Sequence, residues 1–188
     1  ESDKDWVVGE KWNGFRLIFY ISNSGNHLIT RSGNDVTKNA PYFLINVPGL
    51  DDTILDGEGI APTVYKKKQF DLADTKTIFG SKPGRAIDWQ NQHGSAIIVL
   101  FDILKYKGQV IYDLPLKQRI KYLKQAYLLL RAKGLPVKLE KLVKKGKLKY
   151  YKSVVKLGGE GVIAKDLSQP YEPGEWSNGF LKIKKQNS

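Results

Sequence analysis

Cysteine and methionine are absent from the 188 residues of this chain, and histidine occurs only twice. Without cysteine the chain has no disulfide, no thiolate zinc site and no cysteine nucleophile. With His27 and His93 as its only imidazoles, it is also a poor candidate for a histidine-rich metal site. A divalent cation bound here would need carboxylate and phosphate oxygens, which are the ligands that Mg²⁺ prefers.

Long apolar runs are also absent, since no stretch approaches the roughly 20 residues of a membrane-spanning helix. The first residues are charged and lack the apolar segment of a secretory signal. We therefore expect an intracellular protein, cytoplasmic, nuclear or viral, that is not secreted and has no membrane partner.

Basic residues, by contrast, are abundant. The chain has 31 Lys and Arg against 19 Asp and Glu, which gives a formal net charge of +12. Basic surfaces bind nucleic acid by releasing the counterions that surround its phosphates, so this balance favours a polyanionic partner. Solubility is the alternative explanation of the same charge.

Hydrophobic periodicity predicts a mixed α+β domain. Predicted strands cover residues 6–8, 15–21, 27–30, 53–58, 97–101, 109–112, 161–164 and 180–184. Residues 62–95, with Lys66, Lys67 and Lys68, are predicted to be connecting surface. The lysine-rich tract 138–152 is predicted to be either an amphipathic helix or a basic connecting arm, and a helix is predicted over 147–157.

The clearest helix is predicted after Asp113, which is placed to cap it. Pro115 fits the first turn, and Gly134 is expected to end the helix. Its apolar residues recur at spacings of three and four, which makes one stripe. The basic side chains away from that stripe are expected to face solvent: Lys117, Lys121, Lys124 and Arg131.

A lysine lies between two of the predicted strands. Lys11 opens the segment Lys-Trp-Asn-Gly-Phe-Arg, which ends at Arg16. A lysine nucleophile must lose its proton near neutral pH, and neighbouring cations can lower its pKa enough for this. Taken by itself, however, the segment is better explained as the basic edge of a hairpin.

Three further segments complement this lysine. Asp56-Gly-Glu58 ends an apolar strand, Glu160 opens Glu-Gly-Val-Ile-Ala-Lys, and Lys182 and Lys184 lie on the same side of a predicted strand. Together they offer a nucleophile, acidic groups for ribose hydroxyls and Mg²⁺, and paired cations for a reacting phosphate.

The ordered segments KWNGFR, DGE, LFDIL, EGVIAK and LKIK resemble the motif set of the covalent nucleotidyltransferases, which include ATP-dependent ligases and mRNA capping enzymes. The resemblance covers residues 6–185. The connecting segments 30–37, 113–119 and 170–182 resemble those of the ATP-dependent DNA ligases. The resemblance implies an α+β, ATP-grasp-like adenylation domain over residues 1–188, with two mainly antiparallel sheets and flanking helices around an ATP pocket.

The resemblance also implies roles for individual residues. Lys11 would attack ATP and hold AMP as a phosphoramidate. Glu58 would bind the ribose, while Phe101 would stack on adenine with Ile163 as a lid on the other face. Glu160, with Glu58, would hold Mg²⁺. The remaining nucleotide-binding residues would be Glu10, Arg16, Arg31, Lys182 and Lys184.

By this resemblance the protein is expected to be a monomeric DNA ligase that seals nicked double-stranded DNA in repair, replication and recombination. We expect the OB-fold domain of these ligases to be absent from this chain, and we expect the chain to seal nicks poorly by itself. Asn13 departs from the pattern, which has Asp at that position. Three alternatives remain open: an RNA ligase, a capping guanylyltransferase, and a non-catalytic DNA-binding module that kept the fold.

Overall fold

The computed structural model describes residues 5–67, 72–172 and 179–185. Lys68 and the part of the predicted 170–182 segment that runs from Pro173 to Asn178 lie outside the described residues. In chain order the strands are β1 (Trp6–Glu10), β2 (Phe15–Ile21), β3 (His27–Thr30), β4 (Thr53–Ile60), β5 (Ile97–Tyr106), β6 (Gln109–Val110), β7 (Val137–Leu139), β8 (Gly161–Asp166) and β9 (Phe180–Lys184). The helices are α1 (Pro62–Lys67), α2 (Ala73–Phe79), α3 (Pro83–His93), α4 (Leu116–Ala132) and α5 (Lys147–Lys156).

The strands form two mainly antiparallel sheets, as predicted. The larger sheet has the order β3-β2-β4-β5-β6, and β7 joins β5 in parallel. The smaller sheet has the order β1-β8-β9. Because β1 and β2 are consecutive in the chain but belong to different sheets, residues 11–14 cross from the small sheet to the large one.

Most of the apolar core belongs to the larger sheet. Its buried residues come from β2, β4 and β5, from α2 and from α4, and include Phe19, Leu55 and Leu100. The small sheet has its own minor cluster, in which α5 packs through Val154 against Val8, Val162 and Ala164.

The expectation that residues 62–95 form connecting surface was wrong, because this stretch contains α1, α2 and α3. Ile78 and Phe79 of α2 are buried in the core of the larger sheet, and Ala86 of α3 is buried as well. The first two helices have only six and seven residues, too few to show a repeating apolar stripe.

Helix α4 was predicted correctly along its length, and its four predicted surface cations are all exposed. The predicted cap by Asp113 was wrong, since Pro115 occupies the cap position without a side-chain hydrogen bond. Backbone carbonyls satisfy the helix start instead: the N–H groups of Leu116 and Lys117 donate to Gln169 and Leu167, each at 2.9 Å. Gly134, with φ of 79°, follows the end of the helix.

The lysine-rich tract is neither one helix nor one arm. It begins within β7, then Val143 forms an antiparallel bridge with Val8 of β1, and α5 follows. The predicted strand over 109–112 is also shorter, since β6 ends at Val110 and the N–H of Ile111 donates to the carbonyl of Leu104. Within the described ranges, none of the helices has the length and apolarity needed to span a bilayer.

Candidate active site

Lys11 lies at the crossing between the two sheets. Its backbone N–H donates to the carbonyl of Gly161 at 3.0 Å, which ties the start of the crossing to β8. At Gly14, a Cβ atom would lie 2.8 Å from Cγ2 of Ile60 and 2.9 Å from Cγ of Glu58. Only glycine allows the backbone to pass this close to β4, so Gly14 sets where the crossing chain enters the larger sheet.

Glu160 connects Lys11 to the last strand. Its carboxylate lies 2.5 Å from Nζ of Lys11 and 3.4 Å from Nζ of Lys184. Burial opposes ionisation of Glu160, but the hydrogen bonds and charges of Lys11 and Lys184 outweigh it and lower the pKa of this carboxyl. The structure therefore brings three of the predicted site residues into direct contact.

Lys182 adds a further cation to the same cluster. It lies opposite Ile163 in the β8–β9 ladder, two residues before Lys184, so both lysines share one face of β9. Desolvation and the nearby charges of Lys11, Lys184 and Arg31 lower the pKa of Lys182. Three further cations close enough to act on Lys182 make this cluster a suitable binding site for an anion.

Glu58 lies in β4, directly opposite Arg16 of β2. Burial raises the pKa of the Glu58 carboxyl to about 7, against the opposing effect of Arg16 and of the hydrogen bond from the backbone of Gly14. Lys11 is also close enough to act on this carboxyl. Glu58 thus lies beside the candidate nucleophile with a protonation state that changes near neutral pH.

Phe101 of β5 has cations over its ring. The guanidinium carbon of Arg16 lies 4.7 Å from the ring centroid, and Nζ of Lys165 lies 5.1 Å from it. These separations are typical of cation–π contacts. Because Lys165 belongs to β8, this contact also shows that the inner faces of the two sheets meet at Phe101.

Arg16 is held by a carboxylate that the sequence did not single out as a site residue. Its guanidinium forms a two-pronged ion pair with Asp56, which is fully buried, and the hydroxyl of Tyr171 donates to the same carboxylate at 2.9 Å. Burial raises the pKa of Asp56, while Arg16 opposes that rise. Asp56 belongs to the Asp-Gly-Glu segment, in which only Glu58 was assigned a role, although the place of Asp56 two residues before Glu58 was the signal that could have identified it.

Sequence reasoning also missed a second buried ion pair. Lys165 donates to Glu140, and both side chains are about 5% exposed or less. Lys165 lies two residues after Ile163, so both side chains are on the same face of the strand, and this spacing could have placed Lys165 in the site. Glu140 is the only acidic residue of the lysine-rich tract 138–152, and this isolation could have identified it as the partner of a buried cation.

Two predicted site residues are placed differently from the rest. The Glu10 side chain lies opposite Val162, which packs against α5, and it acts electrostatically on Tyr150 of that helix. It therefore lies on the sheet face away from Lys182. Ile163 shares the inner face with Lys182, but the β8 residue over the Phe101 ring is Lys165.

Among the described residues there is no group of three or more His, Asp or Glu side chains that could hold a metal by themselves. This donor set still fits Mg²⁺, because that ion commonly keeps several waters and binds through one or two carboxylates plus the phosphates of a substrate. Glu160, beside the cationic cluster, is the carboxylate placed for that role.

This arrangement of lysine, carboxylates and paired cations agrees with a family match. Residues 1–184 match the family described as ATP dependent DNA ligase domain. The chain belongs to this family. Its members are ATP-dependent DNA ligases, enzymes that join DNA at the expense of ATP.

Named relatives are consistent with the family. The chain is 27% identical over 192 residues to a DNA ligase of Methanococcus vannielii, with 93% of this chain and 33% of that protein covered. It is 28% identical over 184 residues to the multifunctional non-homologous end joining protein LigD of Pseudomonas aeruginosa, with 97% and 20% covered. The chain thus spans a third or less of these relatives' own length.

Solved structures of this family share the fold. The ligase domain of LigD from M. tuberculosis superposes with a TM-score of 0.73 at 23% identity, covering 95% of this chain and 54% of that one. The ATP-dependent DNA ligase of bacteriophage T7, in complex with ATP, superposes with a TM-score of 0.69 at 16% identity, covering 97% and 62%. The predicted DNA ligase adenylation fold is therefore confirmed.

Proposed function

We propose that this chain is the adenylating core of an ATP-dependent DNA ligase, with Lys11 as its nucleophile. Nζ of Lys11 attacks the α-phosphorus of ATP, the bond to the β-phosphate oxygen breaks, and pyrophosphate and the Nζ proton are released. AMP then passes from lysine to the 5′-phosphate at a nick in double-stranded DNA. The neighbouring 3′-hydroxyl attacks that phosphate and displaces AMP.

The observation that carries the proposal is the contact of Lys11 with Glu160 inside the cluster formed with Lys182, Lys184 and Arg31. Phosphoryl and nucleotidyl transfer depend mainly on positioning and on neutralising charge at the reacting phosphate. The cluster supplies positive charge around Lys11, which is mostly shielded from solvent, with 15% of its side chain exposed.

Other residues bind the nucleotide around this centre. Phe101 stacks on adenine, Glu58 accepts hydrogen bonds from the ribose hydroxyls, and Arg16 approaches the ribose and the DNA end. Lys182 and Lys184 neutralise the α-phosphate, with Arg31 beside them. Mg²⁺, held by Glu160, supplies further neutralisation of the phosphates when it is bound.

Intact-mass spectrometry after incubation with ATP and Mg²⁺ tests the proposal. We expect the mass to rise by one AMP in the wild-type chain and to stay unchanged in Lys11→Ala. GTP and NAD⁺ run in parallel separate the ATP-dependent ligases from capping guanylyltransferases and NAD⁺-dependent ligases, and a preference for RNA ends over DNA nicks would indicate an RNA ligase.

Asn13 provides an internal control for that experiment. The family pattern has Asp here, so Asn13→Asp restores a negative charge two residues from the nucleophile, and we expect it to accelerate adduct formation. If neither the wild-type chain nor Asn13→Asp forms an adduct with any nucleotide, while both bind DNA with an affinity that falls with salt, the chain is a DNA-binding module instead.

A further inference from the structure

Glu140 is a buried carboxylate that the adenylation chemistry leaves without a role. It follows β7 directly, and its backbone N–H donates to the carbonyl of Leu100 at 2.9 Å. Its side chain extends from there to the small sheet. One carboxylate oxygen accepts from Lys165, and the other occupies the space where a Cβ of residue 9 would lie.

The Glu140 carboxylate can occupy this position only because residue 9 is glycine. Any larger residue would collide with Oε1 and Cδ of Glu140. Gly9 belongs to the inner face of β1, because it lies opposite Ile163, and it precedes Lys11 by two residues. Since a strand advances about 3.3 Å per residue, the backbone of Gly9 lies roughly 7 Å from that of Lys11.

The same carboxylate lies next to the ring proposed to stack on the base. Lys165 contacts the Phe101 ring and the Glu140 carboxylate with one ammonium group. A pocket of about 210 Å³ opens here and is lined by both Phe101 and Glu140. The rest of its lining is mainly aliphatic, with Ile120, Leu139 and Leu142, and it also includes Lys124. A planar base on Phe101 would thus present one edge to the Glu140 carboxylate.

The chemistry of that edge differs between the two purines. Adenine carries a 6-amino donor, whereas guanine carries a 6-oxo acceptor at the same position. An ionised carboxylate only accepts hydrogen bonds. It therefore binds the 6-amino group of adenine and repels the 6-oxo group of guanine. Burial raises the pKa of Glu140, but the ion pair with Lys165 opposes this and favours the ionised form.

We propose that Glu140 is the residue that selects adenine, by accepting a hydrogen bond from the 6-amino group of the base stacked on Phe101. The inference rests on the proposed adenylation function and adds a specificity-determining residue to it. Gly9 makes room for the carboxylate, and Lys165 keeps it charged and oriented.

The test compares ATP with GTP and with purine riboside 5′-triphosphate, which lacks the 6-amino group. Adduct formation is followed by intact mass, and equilibrium binding is measured by calorimetry in the Lys11→Ala chain, which cannot react. We expect the wild-type chain to prefer ATP over purine riboside triphosphate by roughly 10-fold to 100-fold, the range of a hydrogen bond to a charged group. Glu140→Gln loses the charge but keeps a neutral carbonyl acceptor, so it should lower that ratio several-fold. Because its amide can also donate to the 6-oxo group of guanine, it should lower the preference for ATP over GTP by roughly 10-fold or more.

Asp102→Asn is the matched control, because Asp102 is also a buried carboxylate paired with a cation, Arg119. It should affect ATP and purine riboside triphosphate equally. Gly9→Ala gives a second, independent variant, since it displaces the Glu140 carboxylate without removing its charge, and it should also lower the ratio. If Glu140→Gln does not fold, Gly9→Ala decides.

Equal use of ATP and purine riboside triphosphate by the wild-type chain would overturn the proposal. It would also be overturned if folded Glu140→Gln or Gly9→Ala kept the wild-type ratio of ATP to purine riboside triphosphate. Failure of the adenylation function itself looks different. It would leave no adduct with any nucleotide, while the binding ratio in Lys11→Ala would still decide the role of Glu140.

Discussion

In the larger sheet the aspartates of β4 and β5, Asp56 and Asp102, are buried and paired with arginines, whereas in the smaller sheet the lysines of β9 reach solvent. Asp102 and Arg119 are 4% and 0% exposed, but Lys184 is 55% exposed. The larger sheet also holds most of the apolar core. The comparison separates two tasks: the larger sheet holds the site in place, and β9 of the smaller sheet supplies the solvent-exposed positive charge that a phosphate needs.

If this division holds, breaking a buried ion pair of the larger sheet should lower the free energy of unfolding more than a change at Glu58 or in the smaller sheet. Arg119→Met leaves Asp102 charged and buried without its partner, and we expect the free energy of unfolding to fall by about 3–5 kcal/mol. Urea denaturation measures this change. The double variant Arg119→Met with Asp102→Leu should recover much of the loss, since it removes both charges; if the double variant is as unstable as the single one, lost packing rather than the unpaired charge is responsible.

Glu58→Gln should change the stability by a smaller amount, and the size of this change should depend on pH. Burial raises its pKa from 4.5 in the unfolded chain to about 7, so its contribution is most favourable below pH 4.5 and is lost as the pH rises through 7. Relative to Glu58→Gln, which has no charge to bury, the wild-type chain should lose about 2–3 kcal/mol between pH 4 and pH 8. Denaturation curves of both chains at several pH values measure the difference.

The opposite trend, a wild-type chain that gains on Glu58→Gln as pH rises, would show that Glu58 is stabilised as a carboxylate. Adenylation provides a separate readout. Because the ionised carboxylate is the better acceptor for ribose hydroxyls, Glu58→Gln should also weaken ATP binding at pH 8.

In the smaller sheet we expect loss of activity without loss of stability. Lys182→Ala and Lys184→Ala should each slow formation of the lysyl-AMP adduct by roughly 10-fold to 100-fold, the range of a lost charge-assisted hydrogen bond. Their unfolding free energies should change by less than about 0.5 kcal/mol, because the side chains are exposed. Lys117→Ala on α4, an exposed lysine to which no role in the site is assigned, is the control and should leave both quantities unchanged.

The smallest effect is expected on the outer side of the small sheet. The exposed lysines at and before α5 include Lys144, Lys145, Lys149 and Lys152. Changing these four to Gln should weaken DNA binding and reduce its dependence on salt concentration, while adduct formation continues at its normal rate. Filter binding or fluorescence anisotropy at several salt concentrations measures this, and an unchanged salt dependence would show that the tract is only a solvated surface.

Sequence patterns predicted the features that depend on neighbours in the chain. The strands around Lys11 and Glu58 and helix α4 follow from residue spacing. The meeting of Lys11, Glu160 and Lys184 was expected only from the family resemblance, since Lys11 and Glu160 are 149 positions apart. Pairs that form only on folding were not predictable. Asp56 and Arg16 are 40 positions apart, and Glu140 and Lys165 are 25 apart, so no local pattern connects them.

The most direct test of the central claim is to locate the nucleotide within the chain. After incubation with ATP and Mg²⁺, the protein is digested and the peptides are sequenced by tandem mass spectrometry. We predict AMP on the peptide that contains Lys11, attached at Lys11 itself, and its release when pyrophosphate is added back. AMP on Lys182, Lys184 or another lysine, or an adduct that persists in Lys11→Ala, would contradict the claim that Lys11 is the nucleophile.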